Sequence, residues 1–443
     1  MKKLHLILLL AGVCARQAIA APAADLTLRV APERDVVYNG GSREVVVQID
    51  LDGRRPDHGK RSPMNLAIVL DRSGSMQGAK IEKARQAACV AVDRLSDDDF
   101  FSLVTFDNDT AVLLPPERVG GERHRDELKA RIERIRPGGG TAIYAGVSLG
   151  AQQVRRHLEK EFVNRIILLS DGLANVGPSR TSDLAALGRD LRRDGLAVTT
   201  IGLGDDYNED LMTALAESSN ANYYYVRDAE KLPGIFAEEL GAARSLVARS
   251  VTLRITVPAG VRLKEIIGQP DIQCRDRSAS ITLPEYFGGD KRRFLARCVV
   301  EEKNSAPLEV AAVDLKYEAA GGGVAEPQQQ AAKVSFTDEE KKSEASLRME
   351  VRRERSVVEN RLAKEQAVKL ADEGKTKEAA DVLRRQADNN AAAPAAAQVP
   401  GLALENRKLE EAAKEVESNG RLGSGSRKAM QYENWQDKYQ KAR

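Results

Sequence analysis

Along the stretch between position 24 and Met64, apolar and polar positions alternate with a period of two. "DLTLRV", "DVVYNGG" and "REVVVQIDL" each read as a half-buried antiparallel strand, with Asn-Gly-Gly as a break. At Met64 the texture changes. Six apolar runs, "MNLAIVL", "FFSLVTF", "TAVLLP", "NRIILLS", "LAVTTIGLG" and "NYYYV", are mostly separated by helix-length segments such as "AKIEKARQAACVAVDRL". Strand and helix in alternation imply right-handed crossovers and a mostly parallel sheet covered on both faces, and the strongly apolar "RIILLS" suits a central strand.

Period-two alternation returns in "SVTLRITVPAG", "ASITLPEYFGG", "RFLARCVVEE" and "LEVAAVDLKYEA". The simplest account is an α/β domain, doubly wound, inserted into a β-sandwich that is split in sequence, followed by a C-terminal helical region. The expected segments are a leader at 1–20, the first sandwich strands at 21–63, the α/β domain at 64–243 and the rest of the sandwich at 244–337. A helical segment at 338–388 follows, in which Gly374 divides a helical hairpin. Residues 389–443 read as a low-complexity linker, "NNAAAPAAAQVPG", a short helix near 404–417 and a polar tail. The tail's Tyr432, Trp435 and Tyr439 either dock on the body or stay with a disordered end.

Composition narrows the function classes. The chain has 443 residues, 42% of them apolar, enough for about three domains. With 68 basic and 66 acidic residues interleaved, it has no sustained basic patch of the kind nucleic acid requires. The start, "MKKLHLILLLAGVCARQAIAA", combines Lys2 and Lys3 with an apolar run and Ala18-Ile19-Ala20, the form of a cleavable secretory signal. That run is short of the roughly 20 residues a transmembrane helix needs, so a protein exported to the periplasm or outside the cell is expected. Cys14 raises lipid anchoring as an alternative, disfavoured by the bulky Val13 before it. In an oxidising compartment Cys274 and Cys298, on two strand-like runs, are candidates for a disulfide, while Cys89 lies in a helical pattern. The oligomeric state is left open.

The candidate chemistry gathers at strand ends. "MNLAIVL" runs into Asp71, Ser73 and Ser75 of "DRSGSM"; "NRIILLS" runs into Asp171 of "SDGLAN"; and the glycine-rich "PGGGTAIYAG" presents Thr141 at a helix start. In a doubly wound sheet ligands bind beyond the carboxyl ends of the strands, near the topological switch. Each element alone has a plainer role, since Ser73 or Ser75 can cap the helix near Ala79 and Asp171 can close a turn with Gly172. Together they offer two carboxylates and three hydroxyls, an all-oxygen set of the kind hard divalent cations take. Two carboxylates and neutral hydroxyls leave such a cation short of negative charge, so it has reason to accept one more carboxylate from outside.

In this order and on these elements, "DRSGSM", "GGGTAIYAG" and "LLSDGLAN" resemble the metal-ion-dependent adhesion site of von Willebrand factor type A domains, over roughly residues 64 to 243. The flanks resemble bacterial exported proteins related to inter-alpha-trypsin inhibitor heavy chains. The resemblance implies Ser73, Ser75 and Thr141 as direct ligands of Mg²⁺, with Mn²⁺ or Ca²⁺ as substitutes, and Asp71 and Asp171 as holders of coordinating waters or direct ligands. It also implies a non-enzymatic, metal-dependent module for adhesion or assembly that captures an Asp or Glu of a protein partner, with ligand engagement linked to movement of the domain's last helix.

Other motifs carry less. Ser148 in "GVSLG" fits a nucleophile elbow but lies inside a continuous helical pattern with no strand before it. Asp206, Asn208, Asp210 and Glu217 echo a calcium loop, yet Leu211 stands where that loop needs glycine, so acidic capping of the next helix is the better reading. The histidines form no H-E-x-x-H pair, and Gly138 to Gly140 lack the Lys-Ser/Thr of a nucleotide loop. A phosphohydrolase with Asp71 as nucleophile, or a structural envelope protein that uses its C-terminal helices for contacts, stand as alternative functions.

Overall fold

The computed structural model describes residues 25–55, 62–243, 245–275, 277–392 and 401–439. The expected leader, with Cys14, lies outside the described residues. The chain opens with β1 (Leu26–Pro32), β2 (Val36–Tyr38) and β3 (Glu44–Gly53). The α/β region then runs through β4 (Met64–Asp71), α1 (Ala79–Arg94), β5 (Phe100–Phe106), β6 (Thr110–Arg118), α2 (Glu122–Ile132), α3 (Ile143–Arg155) and β7 (Val163–Ser170). It continues with α4 (Thr181–Arg193), β8 (Ala197–Leu203), α5 (Glu209–Ser218), β9 (Tyr223–Val226) and α6 (Leu232–Ala243). Six more strands follow: β10 (Leu246–Thr256), β11 (Val261–Ile266), β12 (Ser278–Phe287), β13 (Lys291–Val300), β14 (Leu308–Ala319) and β15 (Gln328–Thr337). Five helices close the chain: α7 (Glu340–Ala345), α8 (Met349–Asp372), α9 (Thr376–Ala392), α10 (Leu402–Asn419) and α11 (Ser424–Tyr439).

The central sheet has the order β6-β5-β4-β7-β8-β9, parallel except for the antiparallel edge strand β6. Every residue of β4 is buried, and its side chains split by parity. Met64, Leu66, Ile68 and Leu70 join a core with α1, α2 and α6, whereas Ala67 and Val69 join the core under α3, α4 and α5. This is the period of two expressed on a sheet covered on both faces. The chain winds outward from β4 to β5 and β6, then returns to β7 and leaves the other way, so the topological switch falls between β4 and β7.

The outer strands form two sheets, β1-β3-β13-β11 and β12-β10-β14-β15-β2, around one shared apolar core. The strands before and after the α/β region pair directly: β3 lies between β1 and β13, and β2 runs parallel to β15. The sandwich is therefore closed by both ends of the insertion. Cys298 is buried in this core and Cys274 packs against it; both are free thiols, as is Cys89.

The C-terminal residues depart from the expected linker and tail. Helix α9 continues to Ala392 because Asn390, 1% exposed, donates to the side-chain oxygens of Asn360 and Asn406, both at 2.8 Å, which fixes the helix against α8 and α10. The Gly/Ser stretch and polar tail form α11, which docks on the α/β region. Trp435 is 3% exposed, in the same core as Tyr207 and Tyr223, with Tyr432 edge-on to Tyr223 at 5.9 Å. The acidic start of α5 supplies the counter-charges: Glu209 pairs with Arg427 and, at 2.8 Å, with Lys428, and Asp210 pairs with Arg427 at 2.8 Å. Asn208 caps α5 by accepting from Leu211 N. The residues that echo a calcium loop thus serve as cap and as dock for α11. No helix among the described residues is long and apolar enough to cross a membrane.

Glu209 is 6% exposed and Lys428 3%, so removing the carboxylate strands a buried cation. Glu209→Ala is expected to cost about 3–5 kcal/mol of stability and to loosen α11. Trp435 is the chain's only tryptophan; its emission, blue-shifted in the wild type, should move to the red in this variant, and unchanged emission and melting would contradict the docking.

Candidate functional site

The site lies beyond the carboxyl ends of β4 and β7, the two strands that flank the switch. β4 ends in Asp71, and the chain turns through Ser73 into a 3-10 turn at Gly74–Met76. Neither serine caps α1; its N-cap position is Gly78, with no side-chain hydrogen bond. The hydroxyls are thereby left to each other and to Asp171. Ser73 Oγ and Ser75 Oγ are 3.0 Å apart, and Ser75 Oγ donates to Asp171 Oδ1 at 2.7 Å.

The glycine-rich loop is stitched to the first loop by backbone bonds. Gly138 N donates to Arg72 O at 2.6 Å and Gly74 N to Gly139 O at 3.0 Å, while Arg72 and Asp107 form an ion pair at 2.8 Å beside them. A Cβ at Gly138 would stand 2.3 Å from Asp107 Oδ2, and one at Gly139 would stand 2.2 Å from Asn108 Nδ2, so a side chain at either would have to displace Asp107 or Asn108. The loop delivers Thr141, whose amide donates to Asn175 Oδ1 at 2.8 Å. Gly172, next to Asp171, also lacks a side chain for a reason, since a Cβ there would lie 2.8 Å from Thr141 Oγ1 and 3.5 Å from Ser75 Oγ. Those two hydroxyls therefore converge on the same spot.

All five residues expected from the sequence are thus gathered around one point. Asp71 and Asp171 are fully buried, Ser73 and Thr141 are 2% and 3% exposed, and Ser75 opens to solvent. Both oxygens of Asp71 are engaged: Oδ1 accepts from Ser73 N at 2.7 Å and Oδ2 from Ser170 Oγ at 2.5 Å. A carboxylate so enclosed is placed to hold the loop. Ser148 lies within α3, away from any strand end.

The donor set suits a hard divalent cation. Among the described residues no three His, Cys, Asp or Glu side chains are grouped so as to hold a metal ion, so the available ligands here are hydroxyls and two carboxylates. The nearly buried Thr141 hydroxyl forms no hydrogen bond to the described residues, which leaves its lone pairs free for such an ion.

Sequence reasoning missed two participants. Ser170 precedes Asp171 and bonds Asp71 across the sheet. Lys80 donates from Nζ to Asp171 Oδ2 at 2.5 Å, forming an ion pair inside the site. A signal for Lys80 was present: a lysine in the first turn of a helix opposes the helix dipole and calls for a local partner.

The fold and site define the class of the domain. Residues 65–238 match the model of the von Willebrand factor type A domain, and this segment is such a domain. The chain is 33% identical over 211 residues to the uncharacterized protein sll0103 of Synechocystis sp., covering 47% of each chain. It is 26% identical over 159 residues to inter-alpha-trypsin inhibitor heavy chain H3 of Rattus norvegicus, covering 35% of this chain and 18% of that one. The chain spans less than half the length of these curated relatives. The solved von Willebrand factor type A protein from Catenulispora acidiphila shares the fold, with a TM-score of 0.69 at 17% identity over 94% of this chain and 97% of that one. That likeness takes in the flanking sheets and helices as well as the central domain.

Burial raises the Asp71 carboxyl to about 6, although its hydrogen bonds from Ser170 and Ser73 pull the other way. Between about pH 4 and 6 the folded state therefore holds a proton that the unfolded chain, with a carboxyl near 3.9, has released. In protein stripped of divalent ions, wild type should lose stability relative to Asp71→Asn as pH rises from about 4 to 6, by about 3 kcal/mol, and the difference should be flat above that window. Parallel denaturant titrations of the two proteins check this.

Proposed function

We propose that this protein is an exported, non-enzymatic binding module whose von Willebrand factor type A domain captures an acidic residue of a protein partner through a divalent cation, most simply Mg²⁺. The observation that carries the reading is the convergence of Ser73, Ser75 and Thr141 with two buried carboxylates at the switch point. Ser73, Ser75 and Thr141 would hold the ion directly, and Asp71 and Asp171 would orient its waters or bind it in turn. The ion supplies a Lewis-acidic centre with an open position that a carboxylate can fill.

The protein's own residues do the remaining work. Asp71, locked by Ser73 N and Ser170, fixes the loop that aims the two serines. Asn175 holds the Thr141 backbone, so the hydroxyl is preset. Two residues after Asp171, Leu173 is 59% exposed and would offer an apolar surface to whatever flanks the incoming carboxylate. Von Willebrand factor type A domains commonly mediate protein–protein interaction, which agrees with a site of this kind.

Millimolar Mg²⁺ or Mn²⁺ should raise the melting temperature of the wild type, as a ligand bound only by the native state must. Thr141→Ala should melt near the wild-type temperature without metal and lose most of that rise. Cross-linking capture of envelope proteins should fall to background with chelator or in Thr141→Ala. Capture that survives full chelation in a protein stabilised by no divalent ion would overturn the reading.

A further inference from the structure

The site contains a positive charge of its own. Lys80 sits at the second position of α1, where a cation faces the positive end of the helix dipole. It is not a freely solvated surface lysine, being 30% exposed with its ammonium on the fully buried Asp171. The same ammonium lies 3.7 Å from the point where a Cβ on Gly204 would stand, so it is bracketed between the ends of β7 and β8. Lys80 binds Oδ2 of Asp171, the oxygen turned away from Ser75, and leaves Oδ1 to face the hydroxyls.

We propose that Lys80 sets the charge of the cation site so that a carboxylate from outside is required to neutralise it. Neutral hydroxyls as direct ligands would leave the ion's inner shell short of negative charge, but over the whole site two carboxylates and a divalent cation sum to zero. With the Lys80 ammonium on one of those carboxylates the sum is +1, and one incoming carboxylate brings it to zero. The lysine therefore works in opposite directions on two equilibria: it weakens the hold on the metal ion, through repulsion and by claiming half of Asp171, and it strengthens the hold on the carboxylate ligand. It is a positioning and charge-setting residue, not a metal ligand. This inference rests on the metal-dependent reading above and goes further, since it says which residue tunes ligand capture and with what sign.

The test uses the full chain, Mn²⁺ as the metal probe and acetate as the carboxylate probe, both read by water-proton relaxation. Lys80→Met keeps the aliphatic stem and a good helix former, so the fold should persist, which a thermal melt without metal verifies. Lys80→Met is expected to bind Mn²⁺ about tenfold tighter than wild type and acetate about tenfold more weakly once loaded, the scale of one partly screened unit charge at short range. Lys80→Arg, which keeps the charge, should stay close to wild type in both. If Lys80→Met matches wild type, weakens both, or shifts only one of the two, the charge-setting role is overturned while the metal site stands. If wild type binds no Mn²⁺, the metal-dependent reading falls, and this inference with it.

Discussion

The site depends on one electrostatic constraint: two carboxylates, Asp71 and Asp171, are held without solvent exposure at the ends of adjacent parallel strands. Burying one ionised carboxylate is costly, and two side by side more so, unless every oxygen is answered. The neighbouring residues read as those answers. Ser170 and the Ser73 amide take Asp71, and Ser75 and Lys80 take Asp171. Burial still outweighs the hydrogen bonds on Asp71 and pushes its carboxyl up to about 6. The pair is thus tolerated but under-compensated, the condition in which a bound cation contributes most.

The scaffold turns that constraint into geometry. Parallel pairing of β4 with both β5 and β7 fixes where the two aspartates emerge, and burial on both faces leaves the strands no alternative register. Loops then converge on the crevice because the chain leaves β4 in one direction and β7 in the other. The sandwich is built from strands on both sides of this region and pairs β3 with β13, so the α/β domain is tethered at both ends of its own insertion.

Much of this is legible in sequence for identifiable reasons. The parity of "MNLAIVLD" shows a strand buried on two faces, and the oxygens of Asp71, Ser73 and Ser75 stand out because nothing local requires them. Thr141 and Asp171 are readable only jointly, through order and strand-end position. What escaped notice are partners that lie across space. Lys80 looks like one of many helical lysines until Asp171, 91 residues away, is placed beside it. The run from Asp206 to Asp210 invites a local explanation, yet two of its carboxylates answer Arg427 and Lys428, more than 200 residues on. Helix α11 reads as a tail in sequence because a Gly/Ser start and scattered charges carry little propensity; its order comes from buried aromatics and ion pairs with another part of the chain.

These long-range contacts meet close to the site. Ser424 Oγ, at the start of α11, donates to the backbone carbonyl of Asp205 at 2.9 Å, and Tyr225 holds the Asp205 carboxylate. The preceding residue is Gly204, in a left-handed conformation with φ of 76°, where an added Cβ would stand 3.7 Å from the Lys80 ammonium. On its other side Lys80 grips Asp171. The turn after β8 is therefore held from outside by the last helix and has the lysine of the site near its inner side. A displacement of this turn would have to break the bond to α11 or open space beside Lys80. The docked C-terminus therefore anchors the turn that neighbours the cationic side chain on Asp171, and is not an ornament on the domain's far edge.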